Sequence, residues 1–234
     1  MDQKQTENLD WTATLTGEML LLGLLAKTLY SDPDETWMQS LIDENVFSEV
    51  PLGNDEAETK KGLELLNRWT HDQNGRINDA SLIQLKADHI SLFIGPGKMY
   101  APVWESVYFS EEHLVFQERT LAVRKWYRRF GLESEKGNQE PDDHLGLELG
   151  FVARLAALGL RAIEEQEPTR FDQLLTAQRM FLSEHLLQWV PAWAKLVNEH
   201  AQTDFYRGVG HLTLGSLQAI VKILRPEIPA KALE

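Results

Sequence analysis

Apolar residues recur along this chain at helical spacing almost from end to end. Leu15, Met19, Leu22 and Ala26 fall three and four residues apart, which predicts a helix over 11–30 with one buried stripe. The stretch "SDPDE" then predicts a stop and a restart, with Asp32 as N-cap, Pro33 at the first helical position and a short helix to about Leu41. Two further amphipathic segments are expected at 55–70, carrying Leu63, Leu66 and Trp69, and at 78–93. After the Gly/Pro-punctuated "IGPGKMYAP", helical spacing resumes from about Ser110. There Val115, Ala122, Trp126 and Phe130 share a face, and Gly131 is placed to end the helix. Leu145, Leu149, Val152, Ala156 and Leu160 stripe a helix from about 142 to 165, with Pro141, Asp142 and Asp143 near its positive end. Residues 169–199 read as helical but contain Pro191, so a break is expected near 187–190. A last helix is expected from about 203 to 224, ahead of Pro226.

No stretch alternates in the manner of a strand. The pattern predicts an all-α protein, a single helical domain of roughly eight to ten helices in two sub-halves. The polar, turn-rich "ESEKGNQEPDD" marks a hinge near 131–141. Such a hinge lets copies exchange halves, so a monomer able to form domain-swapped dimers is expected.

Composition narrows the function. The 234 residues carry 23 basic and 36 acidic side chains, a net charge of −13. That balance argues against a nucleic-acid partner, which needs a basic face, and against docking on an anionic membrane. It favours basic or neutral partners. Cysteine is absent, which removes disulfides, thiolate nucleophiles and cysteine-held metals. The N-terminus "MDQKQTENLD" lacks the basic start of a secretory signal, and the apolar run Met19–Ala26 is far short of a membrane span. A cytoplasmic protein without direct membrane insertion is expected.

"EPDDH" (Glu140–His144) gathers three carboxylates and a histidine, the donor types of a metal site. A di-iron bundle requires Glu-x-x-His pairs, and none of the seven histidines has a glutamate three residues before it. No metal or other cofactor is expected. "GPGK" (Gly95–Lys98) is too short for a phosphate-binding loop, and no G-x-S-x-G elbow is present. His144 is open to two readings, a hydrogen-bonded part of a helix cap or the wall of a pocket. Trp69, Trp126, Trp189 and Trp193 sit at helical spacing and read as core. Trp104 differs, standing in "APVWESVYFSEE" between loop and helix beside Glu105. An alternative remains open here, a small helical hydrolase or nucleotide-dependent switch using Ser106, Asp143 and His144.

Four stretches carry a resemblance. "LFIGPGKMYAPVWESVYFSEE" (Leu92–Glu112) and "QEPDDHLGLELGFVARL" (Gln139–Leu155) resemble, in order, the two signatures of the TorD/DmsD family of redox-enzyme maturation chaperones. "FQERTLAVRKWYRRFGLE" (Phe116–Glu133) is similar to the family's intervening helix, and "TDFYRGVGHLT" (Thr203–Thr213) to its C-terminal helix start. The resemblance implies an all-helical, non-catalytic chaperone. It implies binding of the twin-arginine leader and apo-form of a molybdenum-cofactor reductase in the cytoplasm, which delays export until the cofactor is inserted. It implies a peptide-binding surface of Pro102, Trp104, Glu105, Ser106 and Tyr108 from the first signature, and of Glu140, Pro141, Asp142, Asp143 and His144 from the second. Carboxylates suit guanidinium groups, and Trp and Tyr suit both an apolar run and a stacked arginine. "PVWES" mixes two branches of the family, and Gly97 stands where some relatives have an aromatic, so the client enzyme is left open.

Overall fold

The structure, a computed structural model, describes residues 9–95, 97–109, 118–132 and 140–226. Among the described residues there are nine α-helices and no strand, apart from one isolated bridge. Helix α1 (Trp11–Tyr30) starts on Asp10, whose carboxylate accepts from Ala13 N at 3.0 Å. Its buried side includes Leu15, Leu22 and Ala26, and also Glu18, which is 1% exposed.

Helix α2 (Glu35–Asp43) corrects one expectation. Its N-cap is Asp34, which accepts from Trp37 N at 2.9 Å, so Pro33 lies outside the helix. Asp32 instead lies 3.3 Å from His89 Nε2, a contact with a residue far away in the chain. Helices α3 (Ala57–Asp72) and α4 (Asp79–His89) follow. The chain continues from α4 through a π-helical turn, Ile90–Ile94, to Gly95 at φ +63°. A single 3-10 turn, Glu105–Tyr108, carries the first signature.

Helix α5 is described from Glu118 to Arg129, and the part expected from Ser110, with Val115, lies outside the described residues. Gly131 takes φ +70° just past its end, the left-handed position that glycine fills without strain. Helix α6 (Leu145–Glu164) starts three residues later than expected. Its cap is His144, whose Nδ1 accepts from Gly146 N at 3.0 Å, while Asp142 and Asp143 face other elements.

The expected break near 187–190 falls earlier. Helix α7 (Pro168–Phe181) passes into a π-helical turn, Leu182–Leu186, and then into α8 (Leu187–His200). Pro191 has no N–H to give the Leu187 carbonyl and its ring crowds that group, and the turn just ahead widens. Helix α9 (Asp204–Leu224) closes the chain on a Thr203 cap.

Helices from the two sides of residues 131–141 pair with each other: α1 lies along α6, and α3 along α9. The segment 133–139 of the expected hinge lies outside the described residues. Glycines permit both close approaches. A Cβ on Gly146 would come within 2.8 Å of Ala26 O, and one on Gly62 within 2.9 Å of Gly208 O. Trp189, Trp193, Phe93, Phe181, Phe205 and Tyr206 are fully buried in the one core these pairs enclose. No described helix is long and apolar enough to cross a membrane.

Candidate functional site

The two signatures meet along their backbones. Trp104 and His144 form the isolated antiparallel bridge, with Glu105 N donating to Asp143 O at 3.0 Å and Leu145 N to Val103 O at 2.7 Å. The 3-10 turn is thereby set against the start of α6. Asp143 fixes the join with its side chain. Its Oδ2 accepts from Ser106 N at 2.8 Å and its Oδ1 from Thr120 Oγ1 at 2.7 Å, at 0% exposure.

The other buried acids are also engaged from inside the chain. Asp142 accepts from Arg124 Nε, and its carbonyl receives the Tyr127 hydroxyl at 3.0 Å. Glu105 is 0% exposed. Its Oε1 receives Arg119 at 3.1 Å, and its Oε2 lies 2.8 Å from His185 Nδ1. Arg119 also donates to the Glu184 carbonyl at 2.9 Å, and Trp126 Nε1 donates to the Glu184 carboxylate at 3.0 Å. The π-helical turn of 182–186 is what brings Glu184 and His185 together onto this corner.

Behind Glu105 lies Glu148, also fully buried, with Oε2 receiving Trp189 Nε1 at 3.3 Å. Burial, and then the charges of Glu105 and Asp143, push its carboxyl well above the ordinary range. Donor atoms of Glu105, Glu148 and His185 lie within 4.8 Å of one another, a set of the kind that can hold a metal ion. Arg119 already pairs with Glu105 there, and a divalent ion would have to compete with that guanidinium.

The half-buried members of the two signatures form the rim. Trp104 Nε1 donates to Glu140 Oε1 at 2.9 Å, and its ring meets His144 edge-on at 5.8 Å. Tyr108 donates its hydroxyl to Pro102 O at 2.8 Å and lays its ring on Trp189 at 5.0 Å. Burial pushes its phenol above the usual range. Pro102, Trp104, Tyr108 and Glu140 are partly accessible, whereas Glu105, Ser106, Pro141, Asp142, Asp143 and His144 are buried.

The hydrolase arrangement does not form. Among the described residues Ser106 Oγ has no hydrogen-bond partner, Asp143 holds the Ser106 backbone instead of a base, and His144 Nδ1 is used on Gly146. Sequence reasoning missed Arg119, Arg124, Thr120, Glu184 and His185, whose contacts are all long-range. Glu148 had a signal, since it interrupts the apolar stripe between Leu145 and Val152.

Residues 53–195 match the family described as nitrate reductase delta subunit, and the chain belongs to that family. It is 27% identical over 218 residues to the chaperone protein TorD of Vibrio cholerae, covering 93% of this chain and 90% of that one. It is 35% identical over 131 residues to the Tat proofreading chaperone DmsD of Salmonella typhi, covering 55% and 57%. It is 30% identical over 149 residues to the chaperone protein TorD of Aliivibrio fischeri, covering 64% and 67%. All three relatives are chaperones by name.

Proposed function

We propose that this chain is a cytoplasmic chaperone that binds the twin-arginine leader and apo-form of a molybdenum-cofactor reductase, assists cofactor insertion and delays export until the enzyme is mature. The observation that carries the reading is the corner where the two signatures meet, with Trp104, Tyr108, Pro102 and Glu140 at its accessible rim. Glu140 accepts from Trp104 through one carboxylate oxygen, and a carboxylate can accept from a guanidinium N–H as well. Trp104 and Tyr108 offer ring faces to a stacked arginine or an apolar side chain. In this reading Glu105, Ser106, Pro141, Asp142, Asp143 and His144 serve the leader indirectly, by holding the rim in place. The arginines that Glu105 and Asp142 receive here are the chain's own, Arg119 and Arg124. The net charge of −13 adds attraction toward a basic leader, weakened by salt.

Co-expression with a cofactor-free twin-arginine precursor tests the proposal. The precursor is expected to co-purify with this chain, and a leader-deleted form to do so less. Recovery of neither form would overturn it.

A further inference from the structure

Helix α5 is a basic stretch in an acidic chain. It carries Arg119, Arg124, Lys125, Arg128 and Arg129 against a single acid, Glu118 at its start. Arg119 and Arg124 are engaged by Glu105 and Asp142, and Arg129 lies over the Trp126 ring at 5.4 Å. Lys125 and Arg128 are exposed, and neither is in an ion pair among the described residues. Their own helix offers them no partner, since no residue three or four positions from either is an acid. Leu121 shares their face and is 52% exposed.

Beside this stripe an apolar pocket of about 270 Å³ opens between the end of α5 and the first half of α6. Tyr127, Leu132, Leu147 and Phe151 line it, and Arg154 is the one charged residue in the described lining. Arg154 is exposed, and the residues one turn away on α6, Gly150, Phe151, Ala157 and Leu158, cannot pair with it. Successive helical residues turn by about 100°, which places Arg124 between Arg128 and Tyr127 around α5. Cationic side chains thus border the pocket from both helices, and no acid is in the described lining. The volume falls below the range of about 300–1,000 Å³ usual for small-molecule sites, and suits a protruding side chain better than a cofactor. The wall is tied to the second signature, because Asp142 accepts from Arg124 and its carbonyl receives the Tyr127 hydroxyl.

We infer that this pocket docks an acidic segment of the client enzyme outside its leader, seating one large apolar side chain while Arg128 and Arg154 meet the flanking carboxylates. This rests on the proposed chaperone function, and divides the client between two sites of opposite charge. A cationic rim attracts carboxylates and repels the arginines of a leader. The net charge of −13 opposes an acidic partner elsewhere on the chain, which restricts its attraction to this face.

Two probes separate this site from the leader site, a synthetic twin-arginine leader and the cofactor-free client enzyme made without its leader. Arg128→Glu and Arg154→Glu are combined, since both side chains are exposed and their replacement leaves the core intact. The double variant is expected to bind the leader-deleted enzyme about tenfold or more weakly, with the difference shrinking as salt is raised. Its affinity for the leader is expected to stay within about twofold of wild type or to rise, which also checks that it is folded. A benzophenone side chain at position 154 is expected to cross-link to a client segment rich in Asp and Glu. If wild type binds neither probe, the chaperone reading fails and the docking assignment with it. If wild type binds the leader but not the leader-deleted enzyme, or if the double variant binds that enzyme as well as wild type does, the docking assignment alone fails. Equal loss of both probes, or cross-linking from position 154 to the leader, to this chain or to a second copy, also overturns it.

Discussion

Replacing Asp143 by alanine removes two acceptors at once. Ser106 N and Thr120 Oγ1 donate to its two oxygens at 2.8 and 2.7 Å, in a site closed to water. Alanine leaves the Ser106 N–H buried without an acceptor, at a cost of about 1–3 kcal/mol. The lost hydroxyl contact and the small void bring the expected total to about 3–5 kcal/mol. For a chain of this length each kcal/mol moves Tm by about 2–4 °C, so Asp143→Ala is expected to lower Tm by about 8–15 °C. Asparagine keeps the shape. Its oxygen can still accept from Ser106 N, while the Thr120 hydroxyl rotates to accept from the amide. Only charge assistance is lost, about 1–2 kcal/mol, or about 3–6 °C. Thermal and urea unfolding followed by circular dichroism give both values. Asp143→Ala unfolding within about 2 °C of wild type, or asparagine matching alanine, would refute the pinning role.

Glu18 offers a pH test, because burial pushes its pKa from 4.5 to about 8. The folded chain then keeps a proton that the unfolded chain releases, so stability falls as pH rises from about 4.5 toward about 8. Glu18→Gln is expected to flatten that fall, with a gain approaching a ceiling of about 5 kcal/mol near the upper end, read by urea titration across pH. Equal pH profiles for the two proteins would count against a buried, protonated Glu18. A Cβ on Gly62 would lie 2.8 Å from Leu212 N and 2.9 Å from Gly208 O, backbone atoms that cannot yield cheaply. Gly62→Ala is therefore expected to cost about 1–3 kcal/mol by pushing α3 off α9. Gly150→Ala, whose nearest atom would be 3.7 Å away, is expected to be neutral or to stabilise by about 0.5–1 kcal/mol. Melting curves for the pair check both.

Long periodic segments were legible in the sequence because their stripes and caps are local. Residues 11–30 form α1, Trp11–Tyr30, and the last helix starts and stops within a residue of its expected limits. Local ambiguity explains the misplaced cap at α2. Two aspartates flank Pro33, and in the fold Asp34 caps the helix while Asp32 lies against the distant His89. The same holds for Pro191, whose effect is displaced upstream into Leu182–Leu186. At the site, the residue types and their order were readable, but the direction each side chain takes was not. The Trp104–His144 bridge turns Asp143 toward Ser106 and Thr120, and the π-helical turn delivers His185 to Glu105. These are contacts across 23 to 80 residues, beyond the reach of any local pattern. Glu18 and Glu148 are different, since each is a lone acid within an apolar helical stripe, a local pattern that lies in the sequence itself.

Titration calorimetry of the purified chain with a twin-arginine leader peptide bears most directly on the central claim. Saturable binding is expected, weakened about tenfold or more when both arginines become glutamine. Trp104→Ala is expected to weaken it by a similar factor while Tm stays within about 4 °C of wild type. Failure to bind any such leader, or equal affinity for the arginine-free peptide, would contradict the account.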